Sequence, residues 1–341
     1  MKASKITKVQ NKKIVVVGTS AGGLQALTAL VAQFPADFPV PVVIVQHISA
    51  DATGNALIDA LNHAGTLHCS HARNGKMAKA GQIYLAPSDH HVLIGNDGRL
   101  KVTKGAQENR SRPAIDPLFR SAAVAYGNRV VAILLTGYLD DGVSGLIAVQ
   151  KCGGFCIVQD PEDADYPDMP MNALAQMKPD LVLPIVQIGA ALLLELSRKP
   201  GKNVQVPADI LREAKIAERV LSDLPSVNAL GEQVPFNCPG CGGVLWGVVK
   251  GRGLRYRCHV GHAYTAASLL AEQTKKIEET MWTALRMFEE RRNLLTTLAL
   301  QEQGAAARSA KERADISQMH IDRIRAVLMA DDKGTKSDLP T

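Results

Sequence analysis

The segment Gly18-Thr19-Ser20-Ala21-Gly22-Gly23 sets a serine among glycines, directly after the apolar run Ile14-Val15-Val16-Val17. A strand that enters a glycine-rich turn and then a helix serves two chemistries. Backbone N–H groups at the helix start can hold a phosphate. Alternatively, a tight Gly-x-Ser-x-Gly turn exposes a serine nucleophile at the strand end. Gly18, Ser20 and Gly22 fit the second pattern. The first fits less well. Ser20 stands where a dinucleotide fingerprint has its second glycine, and the second strand ends Val45-Gln46-His47, without the acid such a site wants. His47 is instead placed to act as general base for Ser20. A third apolar run leads into Thr136-Gly137-Tyr138-Leu139-Asp140-Asp141-Gly142, and one of its acids could hold the imidazole in the productive tautomer. The order Ser, His, Asp differs from the Ser, Asp, His of α/β-hydrolases.

These side chains need strands that end side by side. Short β-branched runs at 13–17, 41–46, 67–70, 82–85, 91–94, 100–103, 130–135, 155–158 and 181–183 read as strands. Helical stretches at 24–33, 54–62, 117–126, 144–151, 171–176 and 187–196 alternate with them. The pattern predicts an α/β fold: a doubly wound, mostly parallel sheet covered on both faces. Asn96-Asp97-Gly98 between two runs predicts one antiparallel β-hairpin. In such a sheet reactive groups collect at the carboxyl ends of strands.

The expected organisation is an N-terminal segment 1–12, a catalytic domain 13–198 and a linker 199–235 containing a short helix. A Cys/Gly-rich module 236–265, a helical segment 266–330 and a disordered tail 331–341 follow. Within the helical segment, Ile277, Met281, Phe288 and Leu295 fall near heptad seam positions.

Five motifs occur in order: the serine turn, Gln46-His47, Tyr84-Leu85-Ala86-Pro87-Ser88-Asp89-His90-His91, Asn109-Arg110-Ser111-Arg112-Pro113-Ala114-Ile115-Asp116, and Leu135-Thr136-Gly137 through Asp141-Gly142. Together they resemble the catalytic domain of the chemotaxis protein-glutamate methylesterase family (CheB type) over about residues 13–198. The resemblance implies a Ser-His-Asp triad of Ser20, His47 and Asp141, with Asp141 preferred over Asp140 because the family's aspartate directly precedes glycine. It implies hydrolysis of γ-glutamyl methyl esters on bacterial chemoreceptors or related signalling proteins, with glutamine deamidation in some members. Catalysis of this kind needs no cofactor. Thr19, Gly22, Gly23, Arg110, Arg112 and Tyr138 are expected to line the substrate site, the arginines holding carboxylates of a Glu-rich helix. Ala21 and Tyr138 depart from the hydroxyl residue and methionine common in the family. The family's familiar member carries a receiver domain before the catalytic domain. About a dozen residues precede the first strand here, so a receiver or other regulator is expected in trans.

Farther on, Cys238-Pro239-Gly240-Cys241 is followed by Cys258 and, four residues later, His262. Two cysteines at C-x2-C, a third cysteine and a histidine make a tetrahedral metal set, and four protein ligands predict a structural zinc. His259 is the alternative fourth ligand. Lys250, Arg252, Arg255 and Arg257 in this module would permit nucleic-acid contact. Against that, residues 1–200 carry 19 Lys/Arg and 16 Asp/Glu, and residues 201–341 carry 20 and 17. The charge is spread evenly, and aromatics are only 4%, so nucleic acid is not expected. No apolar run approaches the roughly 20 residues of a membrane span, and no signal peptide is evident, so a cytoplasmic protein is expected. A homodimer through the long helix is a further expectation. The competing functional reading is a signalling scaffold with a vestigial esterase site, working through its C-terminal half.

Overall fold

The computed structural model describes residues 13–218, 224–249 and 253–330. The expectations for segment 1–12, for Lys250 and Arg252 and for tail 331–341 lie outside these residues.

The chain opens with β1 (Ile14–Thr19), α1 (Gly23–Val31), β2 (Val42–Gln46), α2 (Asn55–Ala64), β3 (His68–His71) and β4 (Gln82–Leu85). β5 (His91–Ile94) and β6 (Leu100–Thr103) pair antiparallel, as the Asn-Asp-Gly turn predicts. α3 (Ile115–Tyr126), β7 (Val130–Leu134), α4 (Val143–Lys151), β8 (Phe155–Gln159), α5 (Asp168–Gln176), β9 (Leu181–Leu183) and α6 (Ile185–Ser197) complete the alternation. Among the described residues, seven strands form one parallel sheet in the order β3-β4-β2-β1-β7-β8-β9. The chain winds outward from β1 through β2, then returns to the other side of β1 with β7. The crevice where the winding reverses lies at the carboxyl ends of β2, β1 and β7.

The continuous apolar strands are explained by burial on both faces. In β1, Ile14 and Val16 join a core built with Leu118 and Phe119 of α3 and Leu146 of α4. Val15 and Val17 point the other way, into a core with Leu27 and Leu30 of α1 and Leu61 of α2. Burying each such side chain contributes roughly 1.5–3 kcal/mol, which fixes the register on which the strand ends depend.

α7 (Ala208–Glu218) and α8 (Leu224–Asn228) follow, the latter absent from the expectations. They are packed: Ile210 joins the sheet core, and Ile216, Val227 and Leu230 close around Trp246. β10 (Glu232–Asn237), β11 (Val244–Val249), β12 (Leu254–Cys258) and β13 (Ala263–Thr265) make an antiparallel sheet in chain order. The first compact unit ends at Ser268.

The second unit comprises the rest of α9 (Ala266–Gln301) together with α10 (Gly304–Met329). These helices pair antiparallel. The rings of Phe288 and His320 lie 5.0 Å apart, and Arg292 donates to Gln318 at 2.7 Å. Leu285 and Leu295 are buried, whereas Ile277 is 58% exposed. The seam runs through 281, 285, 288, 292 and 295, and Ile277 falls off it because the 3-and-4 spacing reaches 278. Among the described residues no helix is long and apolar enough to cross a membrane.

Candidate active site

Ser20 follows β1, His47 follows β2 and Asp141 lies in the turn between β7 and α4. The sheet ladder continues past its last paired residues. The Ser20 N–H donates to the Thr136 carbonyl at 3.0 Å, and the His47 N–H to the Thr19 carbonyl at 3.1 Å. The Gln46 amide donates to the carbonyls of Ser20 at 2.8 Å and His47 at 2.9 Å, clamping the two strand ends together. Only glycine fits beside this clamp, since a Cβ on Gly23 would lie 1.8 Å from the Gln46 amide oxygen. Gly22 has a φ of +74°, the left-handed conformation that glycine adopts without strain. Gly137 lets the β7 loop lie directly on the nucleophile, because a Cβ there would sit 2.7 Å from the Ser20 Cβ.

The His47 ring bridges the other two side chains. Its Nδ1 is 3.1 Å from the Ser20 Oγ, and its Nε2 is 2.7 Å from the Asp141 Oδ2. An ionised carboxylate only accepts, so the Nε2 proton goes to Asp141 and the Nδ1 lone pair faces the serine hydroxyl. Ser20 is partly exposed, the His47 side chain is 20% exposed and Asp141 only 3%. The line therefore runs from an accessible hydroxyl to a sealed anion.

Four donors surround the Asp141 carboxylate. Oδ2 accepts from His47 and from the Ile115 N–H at 2.7 Å; Oδ1 accepts from Asn109 Nδ2 at 2.8 Å and the Asp116 N–H at 3.2 Å. The two backbone donors are the first residues of α3, where unpaired N–H groups and the helix dipole favour an anion. Burial drives the Asp141 carboxyl upward, but the His47 hydrogen bond and charge, with the bonds from Ile115 and Asn109, outweigh it and hold it below its ordinary value.

The neighbouring acids stand higher. Asp116 is pushed up to about 7, first by burial and then by the Asp141 charge. It accepts from the Gly145 N–H at 2.6 Å and from Asn109 Nδ2 at 3.0 Å. Burial raises Asp140 to about 6 against the opposing bond from the Thr265 hydroxyl, which is 2.8 Å long. Of the adjacent pair, Asp141 turns to His47 and Asp140 turns away.

Thr19 is buried and donates to the Thr136 carbonyl at 3.0 Å. Tyr138 is 56% exposed and meets Tyr166 edge-on, with ring centroids 4.7 Å apart. Arg110 is exposed with a φ of 65°. Arg112 donates to Asp89 at 2.8 Å and to the Gly105 carbonyl at 2.7 Å, so its guanidinium is engaged within the chain. Gln46 and Asn109 are parts of the site to which the sequence reading gave no role. Their only signal was membership of the motifs.

In the C-terminal module, Cys238, Cys241, Cys258 and His262 bring their ligand atoms within 4.8 Å of one another, while His259 is exposed. Two tight knuckles shape the set. The Gly242 N–H donates to the Cys238 carbonyl at 2.7 Å, and the Cys258 N–H to the His262 carbonyl at 2.9 Å. Cys241 and Cys258 sulfurs are 3.7 Å apart, and His262 Nδ1 lies 3.5 Å from Cys258 Sγ and 3.6 Å from Cys238 Sγ. A tetrahedral ion with metal–sulfur and metal–nitrogen bonds of about 2.3 and 2.0 Å separates its ligands by about 3.8 Å (S to S) and about 3.5 Å (S to N). The set has the spacing to hold a metal ion.

Arg255 and Arg257 do not present the basic face that would meet a nucleic acid. Arg257 is 1% exposed and pairs with Glu108 at 2.8 Å; Arg255 pairs with Glu213 at 2.9 Å; Arg120 bridges to Glu108 at 3.1 Å. Their charge is spent on a buried ion cluster. The module's other expected cations, Lys250 and Arg252, are not among the described residues.

Comparison with known proteins matches residues 15–192 to the family described as CheB methylesterase. A putative protein-glutamate methylesterase/protein-glutamine glutaminase of Leptospira interrogans is 35% identical over 188 residues, covering 55% of this chain and 96% of that protein. The protein-glutamate methylesterase/protein-glutamine glutaminase of Nitrosospira multiformis is 35% identical over 192 residues, covering 56% of this chain but only 54% of its own length. The crystal structure of the Thermotoga maritima CheB methylesterase catalytic domain superposes with a TM-score of 0.52 at 33% identity, covering 54% of this chain and 98% of that one.

Proposed function

This chain belongs to the CheB methylesterase family, and on that premise we propose that it is a carboxyl-ester hydrolase acting on γ-glutamyl methyl esters of a methylated chemoreceptor or related signalling protein. The observation that carries the reading is the unbroken hydrogen-bonded line Ser20–His47–Asp141 at the switch point of the sheet. A scaffold with a vestigial site would have no need for a carboxylate held as an anion by four donors.

In the proposed mechanism His47 Nδ1 takes the Ser20 proton as Oγ attacks the ester carbonyl carbon. Asp141 stabilises the imidazolium through Nε2–H. The tetrahedral oxyanion is met by backbone N–H groups of the turn and the start of α1, a contribution of several kcal/mol in such sites. Collapse breaks the ester C–O bond, and methanol leaves with the proton from His47. Water then attacks the acyl-enzyme, giving its proton to His47, and the glutamate carboxylate departs as Ser20 regains its hydrogen. Deamidation of glutamine follows the same path with ammonia as the leaving group. We assign Gly22, Gly23, Arg110 and Tyr138 to the substrate side of the site, with the buried Thr19 and the Asp89-bound Arg112 supporting it from within the chain; we assign zinc to the Cys238/Cys241/Cys258/His262 set and place the protein in the cytoplasm.

The test is labelling with a serine-directed fluorophosphonate, mapped by mass spectrometry, followed by methanol release from methylated receptors. Label on Ser20 that disappears in His47→Ala, with methanol released, supports the reading. A folded, metal-loaded protein that takes no label and releases no methanol refutes it.

A further inference from the structure

Asn109 stands between two parts of the molecule that the sequence keeps far apart. Its Nδ2 donates to Asp141 Oδ1 at 2.8 Å and to Asp116 Oδ2 at 3.0 Å. Its Oδ1 accepts from the backbone N–H of Thr265 at 3.3 Å, on strand β13 of the Cys/His module, an N–H shared with the Ser268 Oγ at 2.9 Å. The Asn109 N–H also donates to the Ala263 carbonyl at 2.8 Å, and the Ala263 N–H to the Gln107 carbonyl at 3.3 Å. The Asn109 backbone has a φ of 49°, a left-handed conformation that asparagine tolerates and most residues do not. Such a backbone needs outside support, and here β13 supplies it.

β13 is a short strand, and it starts at the residue after His262. On one side it pairs with β12, with Arg257 opposite Ala263; on the other it holds the Asn109 loop. What fixes its start is the Cys258–His262 knuckle, which contributes two of the four ligand atoms. A second link runs in parallel, from the Thr265 hydroxyl to Asp140, the residue before the triad acid. The buried Trp246 of the module packs with Ile216, Val227 and Leu230, which come from outside its strands. Small sheets of this kind derive much of their order from the metal.

We propose that Asn109 is a positioning residue for Asp141, and that metal bound to Cys238, Cys241, Cys258 and His262 sets its position through β13, so that esterase turnover depends on a metal far from the reacting atoms. This rests on the hydrolase reading of Ser20, His47 and Asp141. When the knuckle loosens, Asn109 loses the backbone donor that orients its amide. Asp141 then loses one of its four donors, and the His47 ring loses the fixed acceptor that selects its tautomer. The metal does no chemistry on the substrate. Its effect falls on the chemical step and leaves substrate affinity alone.

The experiment uses the full chain loaded with Zn2+, the same chain stripped with a chelator and re-loaded, and Asn109→Ala in both states. Three readouts are taken: kcat and KM on an activated ester, the rate of Ser20 labelling by a fluorophosphonate, and the downfield proton resonance of the His47 Nε2–H. Removing a hydrogen bond to a charged group predicts a fall in kcat of roughly tenfold to a hundredfold for zinc-loaded Asn109→Ala, with KM nearly unchanged. Stripping the wild type produces a similar fall, shifts the His47 resonance and is reversed by Zn2+. Stripping Asn109→Ala slows it by a smaller factor than it slows wild type, because only the Thr265–Asp140 link is then left to break. The proposal is overturned if stripped wild type keeps the loaded rate and resonance, or if stripping slows wild type and Asn109→Ala by the same factor. Should stripping unfold the sheet, zinc-loaded Asn109→Ala decides alone, and an unchanged kcat and resonance overturn the proposal. If the resonance moves on stripping yet the loaded wild type neither labels nor hydrolyses esters, the link stands and the hydrolase reading falls.

Discussion

Replacing Asp141 by asparagine keeps the shape of the side chain and removes one acceptor. The four groups around Asp141 are all donors: His47 Nε2, Ile115 N–H, Asn109 Nδ2 and Asp116 N–H. An amide offers one oxygen, so its NH2 group must face two of them in either orientation. If the NH2 faces His47, it donates to Nε2, the ring proton moves to Nδ1, and Nδ1–H now points at the Ser20 Oγ. The imidazole can then no longer take the serine proton, and a change of this kind costs roughly ten-thousandfold in kcat. If the NH2 faces α3 and Asn109 instead, those two donors are left unpaired in a buried site, at about 1–3 kcal/mol each. The first orientation leaves only the Ile115 N–H unpaired, against two donors in the second, so it is the one expected for Asp141→Asn: kcat falls by about four orders of magnitude and stability by roughly 1–3 kcal/mol. Steady-state hydrolysis of an activated ester and denaturant unfolding measure the two. A variant that retains kcat within tenfold of wild type, with Ser20 still shown to be the labelled residue, refutes the assignment of Asp141 as the partner of His47.

Other outcomes are as specific. Ser20→Ala abolishes turnover and fluorophosphonate labelling, while stability stays within about 0.5 kcal/mol, as for a partly exposed side chain outside the core; unfolding curves of the two proteins should overlay. Asp116 is raised from 3.8 to about 7 and Asp140 from 3.8 to about 6. Between those limits the folded state binds more protons than the unfolded one, so both groups favour folding below pH about 4 and lose that contribution as pH rises to 7. Asp116→Asn should flatten the decline in unfolding free energy between pH 4 and 7, measured in urea at several pH values. Glu108→Ala removes the nearer shared partner of the buried Arg120 and Arg257 guanidinium groups and leaves them Glu213, at 3.6 and 3.7 Å. Breaking a buried pair outright costs about 3–5 kcal/mol, and with Glu213 still present the loss, read as a lower melting temperature, stays below that.

The strand set, the hairpin and the pairing of Ser20 with His47 were legible because each depends on neighbours in sequence or on adjacent strands. An all-apolar run ending in a glycine turn carries its own instructions. The choice between Asp140 and Asp141 was not of that kind. Adjacent acids in one turn differ only in what lies across from each, and in the fold that is Thr265 for one and His47 for the other. The roles of Gln46 and Asn109 were hidden for the same reason. Each is a short polar side chain whose meaning comes from backbone groups that folding brings to it. Arg255 and Arg257 read as free cations because their partners, Glu213 and Glu108, lie far back along the chain. Ile277 was read into the helix seam because the helix carries more apolar residues than the seam uses, and it is the contact with α10 that sets which 3-and-4 series is buried.

The amide that steadies Asn109 lies 156 residues downstream of it. Synthesis proceeds from the N-terminus at about 5–20 residues per second. The last strand of the parallel sheet ends at Leu183, so 82 residues must still be translated before Thr265 exists, an interval of roughly 4–16 s. During that time Ser20, His47 and Asp141 can already share one crevice, while the loop beside them waits for its support. On the ribosome, the birth of a folded sheet and the birth of a finished esterase are then separate events.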